Sequence, residues 1–164
     1  PSVDGGSKGL VKTVNHDNDV NLNCLEQDIK IKNSKTAVGV DTQKISRLAL
    51  DNPIFIDRNY TQIEQEYCES DDCVKRKHRY GGRWAAKEAT VKAIYSCLSD
   101  SELTDMSPTK SLIEVEVIHT ISGQPVIKLH GSMAMLASHI GYSEINLSIS
   151  HDDDTAFAVV TIIR

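Results

Sequence analysis

The sequence predicts an α+β domain, an antiparallel sheet with helices packed on one face. Three observations carry the prediction. Segments of alternating apolar and polar residues at 112–130 and 144–163 are each broken once by a turn, the pattern of two hairpins. Three helix-like segments separate a first apolar strand from the first hairpin, and a fourth lies between the hairpins. Strands that arrive as hairpins pair antiparallel, and helices interleaved with them then cover one face. The 164 residues are 40% hydrophobic and 25% charged, enough for one domain with a real core. Aromatics make up 5%, so aliphatic side chains must fill it.

Residues 1–33 are polar, with Gly5, Gly6 and Ser7 and the run Asn15 to Asp19, and are expected to form a linker or loosely docked arm before a domain at 34–164. Within the arm, Leu22 to Ile31 could make one short strand or helical turn. Order is expected to begin with TAVGVD, a short buried strand delivering Asp41 at its end. KISRLAL, carrying Ile45, Leu48 and Leu50, is expected to be a helix stopping before Pro53. Phe55 and Ile56 add an apolar contact. Thr61 with Glu64 three residues later is a capping box opening the next helix.

Residues 68–80 read as an exposed loop, first acidic (Glu69, Asp71, Asp72), then basic (Lys75, Arg76, Lys77, Arg79). A long helix is expected over 83–98, followed by a polar loop from Ser99 to Lys110. In LIEVEVIHT, Ile113, Val115 and Val117 face one way and Glu114 and Glu116 the other, and the Ser122–Gly123 turn leads into PVIKLH. Gly131 to Ile140 has helical spacing through Met133, Leu136 and Ile140, and Gly141 stops it. INLSIS, the turn HDDD and TAFAVVTII complete the second hairpin.

Composition excludes several functions. A net charge of -5 does not suit bulk nucleic-acid binding, and the lone KRKHR run without aromatic partners reads as an exposed loop. The longest apolar runs are strand-sized, so no membrane span is expected. Cys24, Cys68, Cys73 and Cys97 lack zinc-like spacing and read as thiols of a reducing compartment, the cytoplasm first, with an organelle left open. The chain opens at Pro1 with its first methionine at Met106, so it is expected to be processed or cut from something longer.

One residue breaks the pattern of the long helix. Around that helix Trp84, Val91, Tyr95 and Leu98 share a narrow arc, and Glu88 falls inside it with Lys92 at its edge. An ionised carboxylate on a buried stripe is costly unless paired or bound to a metal. The bland alternative is a surface Glu88–Lys92 pair at i, i+4. Asp41 at the end of a strand and His151 before a sharp turn could converge with Glu88 into a polar pocket. Two carboxylates on rigid elements suit Mg²⁺, and the nearby Arg79, Arg83, Lys87 and Lys92 suit a metal-bridged pyrophosphate. Each has a plainer role: Asp41 as a helix cap, Arg83 and Lys87 as solvated charges, His151 as a turn residue. Asp152, Asp153 and Asp154 read as solvated turn residues rather than a second metal cluster.

Five segments, GVDTQKISRL, FIDRNYTQIEQEYC, GGRWAAKEATVKAI, GQPVIKLHG and INLSISHDDDTAFAVV, occur in order over about 36–162. Together they resemble the holo-acyl-carrier-protein synthase type of 4′-phosphopantetheinyl transferase, most of all the domain fused at the C-terminus of fungal type I fatty acid synthase. The resemblance implies a ferredoxin-like α+β domain, a trimer or a place in a fatty acid synthase, and CoA bound between subunits. It further implies Mg²⁺-dependent transfer of phosphopantetheine from CoA to a serine of an acyl carrier protein, with neither nucleic acid nor membrane as partner. By the same resemblance, Asp41 and Glu88 match the metal-binding acids and Lys92 the lysine near the CoA phosphates. Arg83 and Lys87 lie in the matching basic stretch, Ser150 and His151 in the segment that contacts the nucleotide, and Pro125 in the loop near the adenine. Arg47 matches the arginine that meets the carrier protein. Gln43 and Lys44 stand where family members often carry another acid, which removes a local third carboxylate ligand. The rival implication is a degenerate module that only assembles a larger synthase.

Overall fold

The computed structural model describes residues 35–70, 72–102 and 112–164. The expected arm at 1–33 and most of the expected loop from Ser99 to Lys110 lie outside them. In chain order the elements are β1 (Thr36–Lys44), α1 (Pro53–Asn59), α2 (Gln62–Glu69), α3 (Cys73–Tyr95), β2 (Val115–His119), β3 (Pro125–Leu129), α4 (Gly131–Ile140), β4 (Glu144–Asp152) and β5 (Thr155–Ile163). The fold is α+β with antiparallel pairing throughout. The strands form two sheets, β1-β5-β4 and the separate hairpin β2-β3. In register, Asp41 and Ile149 both face Ala158 of the central β5.

Helix α3 lies over the three-stranded sheet, and the core fills the space between them. Ala85, Ala86, Ala89, Ala93 and Ile94 meet Ala156, Ala158, Val160 and Ile162 there. Small residues allow the close approach. A Cβ on Gly39 would fall inside the Ala89 carbonyl and 2.8 Å from Ala93 N, and one on Gly81 would lie 2.7 Å from Ile45 Cγ1. A second cluster of Leu50, Ile56, Tyr60, Cys68 and Tyr80, with Phe55 and Trp84 against it, glues α1 and α2 to the first half of α3. Burial pushes the Cys68 thiol up to about 12, so it packs as an apolar group.

Several expectations were met. The Thr61–Glu64 capping box forms with both of its hydrogen bonds. Gly141 ends α4 at φ 70°, and both hairpins have the expected strands.

Others change. β1 runs past Asp41 to Lys44 because its pairing with β5 continues to Lys44↔Thr155, so Asp41 is inside the strand rather than at its end. KISRLAL gives only a 3-10 turn, Ile45–Arg47. The helix starts where one was expected to stop, with Pro53 in its first turn and the Asn52 side chain accepting from Ile54 N and Phe55 N. The expected loop at 68–80 is mostly helix, since α3 begins at Cys73 with Asp72 capping Val74 N and Lys75 N. Glu116 does not face solvent. It is 4% exposed and accepts from Thr61 Oγ1 at 2.7 Å and pairs with His130 Nε2 at 3.0 Å. Burial would raise that carboxyl, but the Thr61 and His130 contacts outweigh it and hold the group below its usual range.

Candidate functional site

The two flanks of α3 carry different chemistry. On the β1 side, strand and helix run antiparallel, because Gly39 abuts Ala89–Ala93 while Ile45 meets Gly81. Asp41 follows Gly39 by two residues and therefore points to the same face, toward α3, level with the turn that holds Glu88. Lys92 Nζ donates to Asp41 Oδ1 at 2.7 Å and to the Val40 carbonyl at 3.2 Å. Glu88, one turn before Lys92 on α3, is half-buried and makes no hydrogen bond or ion pair among the described residues. Asp41 and the Lys92 ammonium thus meet beside the strand β1, with Glu88 one helical turn before Lys92 on α3.

This donor set fits one kind of metal site. Among the described residues no group of three or more His, Cys, Asp or Glu side chains could cage a metal. Gln43 offers no substitute, since its amide turns to the Lys44 carbonyl at 2.7 Å. Mg²⁺ is ordinarily held by one or two carboxylates with substrate phosphates and water completing its shell, which Asp41 and Glu88 match. The acidic turn plays no such part. Asp154 accepts from Ser46 N at 2.7 Å and Ser46 Oγ at 2.6 Å, and Asp153 sits in the left-handed region at φ 46°.

On the opposite flank, toward β4, lies a cleft of about 350 Å³ lined by Tyr67, Lys75, His78, Arg79, Arg83, His119, Pro125 and His151, among others. Lys75, His78, Arg79 and Arg83 recur at helical spacing along α3. His151, alternating with Ile149 along β4, stacks on His78 with ring centroids 4.6 Å apart. Arg83 is 3% exposed, and its Nε has no hydrogen-bond partner. A buried guanidinium N–H without an acceptor is expensive, and an anion in the cleft would satisfy it. Burial, then the nearby Arg83 and Arg79 charges, hold the His119 imidazole below its usual value.

The residues read from sequence divide between these flanks. Asp41, Glu88 and Lys92 stand on the first; Arg83, Pro125 and His151 on the second. His151 therefore does not converge with Asp41: Asp41 and Ile149 lie two strand spacings apart across β5, about 10 Å. Ser150 alternates to the sheet face away from α3 and is exposed. Arg47 is exposed at the end of its 3-10 turn.

Lys87 is in neither group. It is completely buried, donating to Glu64 Oε2 at 2.7 Å and to the Leu112 carbonyl at 3.0 Å. The buried charges of α3 are thus Arg83 and Lys87, the latter one residue before the Glu88 that the apolar arc singled out. Tyr67, His78 and His119 were not foreseen as site residues. Tyr67 and His78 could have been found by continuing α3 back to Asp72, which puts its first turns beside the end of α2. For His119 no sequence signal existed.

An α+β domain thus carries a cation-lined cleft on one flank of α3 and, on the other, the Asp41–Lys92 pair with Glu88 one turn away. Residues 37–160 match the family model of the 4′-phosphopantetheinyl transferase superfamily, and the chain belongs to that superfamily. It is 34% identical over 129 residues to the fatty acid synthase subunit alpha of Schizosaccharomyces pombe, covering 79% of this chain and 6% of that protein. With the same subunit of Saccharomyces cerevisiae it shares 32% over 149 residues, 87% of this chain and 7% of the relative. The chain therefore spans only a small part of these relatives. Among solved structures, the Chronobacterium ammoniagenes ACPS–CoA complex superposes with a TM-score of 0.68 at 30% identity, over 79% of this chain and 97% of that one. The acyl carrier protein synthase of Mycobacterium tuberculosis gives 0.57 at 26%, over 77% and 95%.

Proposed function

We propose that this domain transfers 4′-phosphopantetheine from CoA to a serine of an acyl carrier protein, with Mg²⁺, in support of fatty acid synthesis. The observation that carries the reading is the division of charge across α3: Asp41 of β1 and Glu88 with a movable ammonium on one flank, a cation-lined cleft with an unsatisfied guanidinium on the other. The serine oxygen forms a bond to the phosphorus that bears pantetheine. The bond from that phosphorus to the bridging oxygen breaks, and adenosine 3′,5′-bisphosphate leaves with that oxygen. Glu88, which has no competing partner among the described residues, or a water accepts the serine proton. Lys92 is 53% exposed at its side chain against 14% for Asp41, so it can swing to the phosphates while Asp41 stays in place. Held by Asp41 and Glu88, Mg²⁺ would supply charge neutralisation for the leaving pyrophosphate oxygen. Arg83 and His151 hold the nucleotide, Pro125 borders its base, and Arg47 meets the acidic carrier protein.

The two flanks also bear on assembly. A nucleotide in the cleft cannot reach the acids of its own copy without passing the body of α3, about 10 Å across. The geometry favours a cleft from one copy facing the acids of another, as in a homotrimer or within a synthase. The outer sheet face exposes Val38, Val40, Phe157 and Ile163, apolar surface that such packing would cover. The compartment we propose is the cytoplasm, with an organelle left open.

The test is incubation with CoA, Mg²⁺ and apo carrier protein, with the acceptor weighed by mass spectrometry. Gain of one phosphopantetheine is expected, with Asp41→Ala and Glu88→Ala each slowing turnover about 100-fold while circular dichroism stays unchanged. No mass gain, where a known transferase modifies the same acceptor, would leave only the assembly-module reading. Full activity in either variant would remove that acid from the site.

A further inference from the structure

Tyr67 lies in the last turn of α2, where its ring and its backbone meet three cleft groups at once. The ring stacks on the His119 imidazole, with centroids 4.3 Å apart and planes 10° from parallel. The Arg83 and Arg79 guanidinium carbons lie 4.1 and 4.4 Å from the same ring centroid. The Tyr67 carbonyl also accepts from Arg79 Nη1 at 2.8 Å, and Ser70 Oγ accepts from the same nitrogen at 2.9 Å. Arg83 in turn donates Nη1 to the Arg79 carbonyl and meets His119 Nδ1 through Nη2, both at 3.3 Å. Two like charges are thus drawn to one aromatic ring, an arrangement that opposes their repulsion before any anion arrives. Arg83 Nε remains buried without an acceptor.

We propose that Tyr67 is a positioning residue that holds Arg79 and Arg83 together as a receptor for a phosphate monoester, giving the cleft its preference for a nucleotide with an extra ribose phosphate. The inference rests on the cleft binding the nucleotide end of CoA, as argued above. A terminal phosphate is a dianion with three free oxygens, so it can meet two guanidinium forks at once; a bare ribose hydroxyl cannot. The ring supplies no bond to the ligand. It works by keeping the forks preset, so the ligand does not have to gather them.

The experiment is calorimetric titration of the full chain with adenosine 3′,5′-bisphosphate and, separately, adenosine 5′-monophosphate. The proteins are the natural one, Tyr67→Phe, Tyr67→Leu and Arg79→Lys. The natural protein should prefer the bisphosphate, and Tyr67→Phe should keep that preference, since the ring rather than the hydroxyl is used. Tyr67→Leu should weaken the bisphosphate about tenfold, in line with loss of a cation–π contact, and the monophosphate less than twofold. Arg79→Lys, which keeps the charge but loses the flat fork, should narrow the preference in the same direction. If Tyr67→Leu retains the preference, or weakens both nucleotides equally, the proposal is overturned. If the natural protein shows no preference, it is overturned as well. A natural protein that shows the preference and its loss in Tyr67→Leu, yet transfers no phosphopantetheine, would sustain this inference and defeat the transferase reading alone.

Discussion

Replacing both members of the Glu64–Lys87 pair should destabilise the domain no more than replacing either one. Glu64 is fully buried and receives three donors: Lys87 Nζ at 2.7 Å, Thr61 N at 2.9 Å and Val117 N at 3.0 Å. It thereby ties α2, α3 and β2 together. Burial pulls the Lys87 ammonium below its usual range, and the Glu64 carboxylate opposes that pull. In Glu64→Gln the ammonium stays buried facing a neutral amide; in Lys87→Met the carboxylate keeps two N–H donors but loses its counter-charge. Breaking a buried pair from one side costs about 3–5 kcal/mol, so each single change should cost about 3 kcal/mol. In a domain of this size that lowers Tm by about 10 °C. The double variant buries no charge and should cost about 3 kcal/mol rather than about 6, a coupling of about 3 kcal/mol. Urea unfolding of the four proteins measures the cycle. Singles within 1 kcal/mol of the natural protein, or a double equal to their sum, would refute the reasoning.

Two further outcomes follow from packing and titration. Gly39→Ala would drive a methyl into the Ala89 carbonyl, a backbone atom that cannot step aside, and should cost about 3 kcal/mol in urea unfolding while slowing turnover through displaced Asp41. Because His119 is held below its ordinary 6.5, the folded protein takes up this proton less readily than the unfolded chain. Stability from this group is full above pH 6.5 and is lost as pH falls through the lowered value, so the urea midpoint should drop from pH 7.5 to 5.0, and less steeply in His119→Asn.

What could be read from sequence was local and periodic. Alternation in INLSIS and TAFAVVTII, the Thr61–Glu64 box and the Gly141 stop each depend on neighbours within a few residues, and each appears as expected. The start of α3 was hidden because KRKHR is polar and Gly81–Gly82 looks like a break. Those positions lie inside the helix and are glycine because a Cβ at either would press on Ile45 or Ile149. The same small residues explain the error over Glu88. The arc through Trp84, Val91, Tyr95 and Leu98 was chosen by side-chain size, yet the face against the sheet is set by Gly81, Gly82, Ala85 and Ala89. Such residues carry little hydrophobic signal and permit the closest approach. Choosing the large side chains instead turned the helix enough to exchange Lys87 for Glu88.

That exchange separates two uses of charge along α3. Glu64, Lys87 and Glu116 are buried with partners on every side, and groups so fully satisfied have nothing left to offer a substrate. Glu88 has no partner among the described residues, Arg83 keeps one N–H unsatisfied, and Lys92 holds Asp41 from an exposed stem. Spare valence, rather than burial, marks the working residues. The two sets are still linked, because one residue of rotation in α3 is about 100° and would carry Glu88 away from Asp41 and Arg83 out of its cleft together. The Glu64–Lys87 bond opposes that rotation. Loosening it should therefore disturb metal-assisted turnover and nucleotide binding in parallel, whereas a change at Tyr67 should disturb nucleotide selection alone.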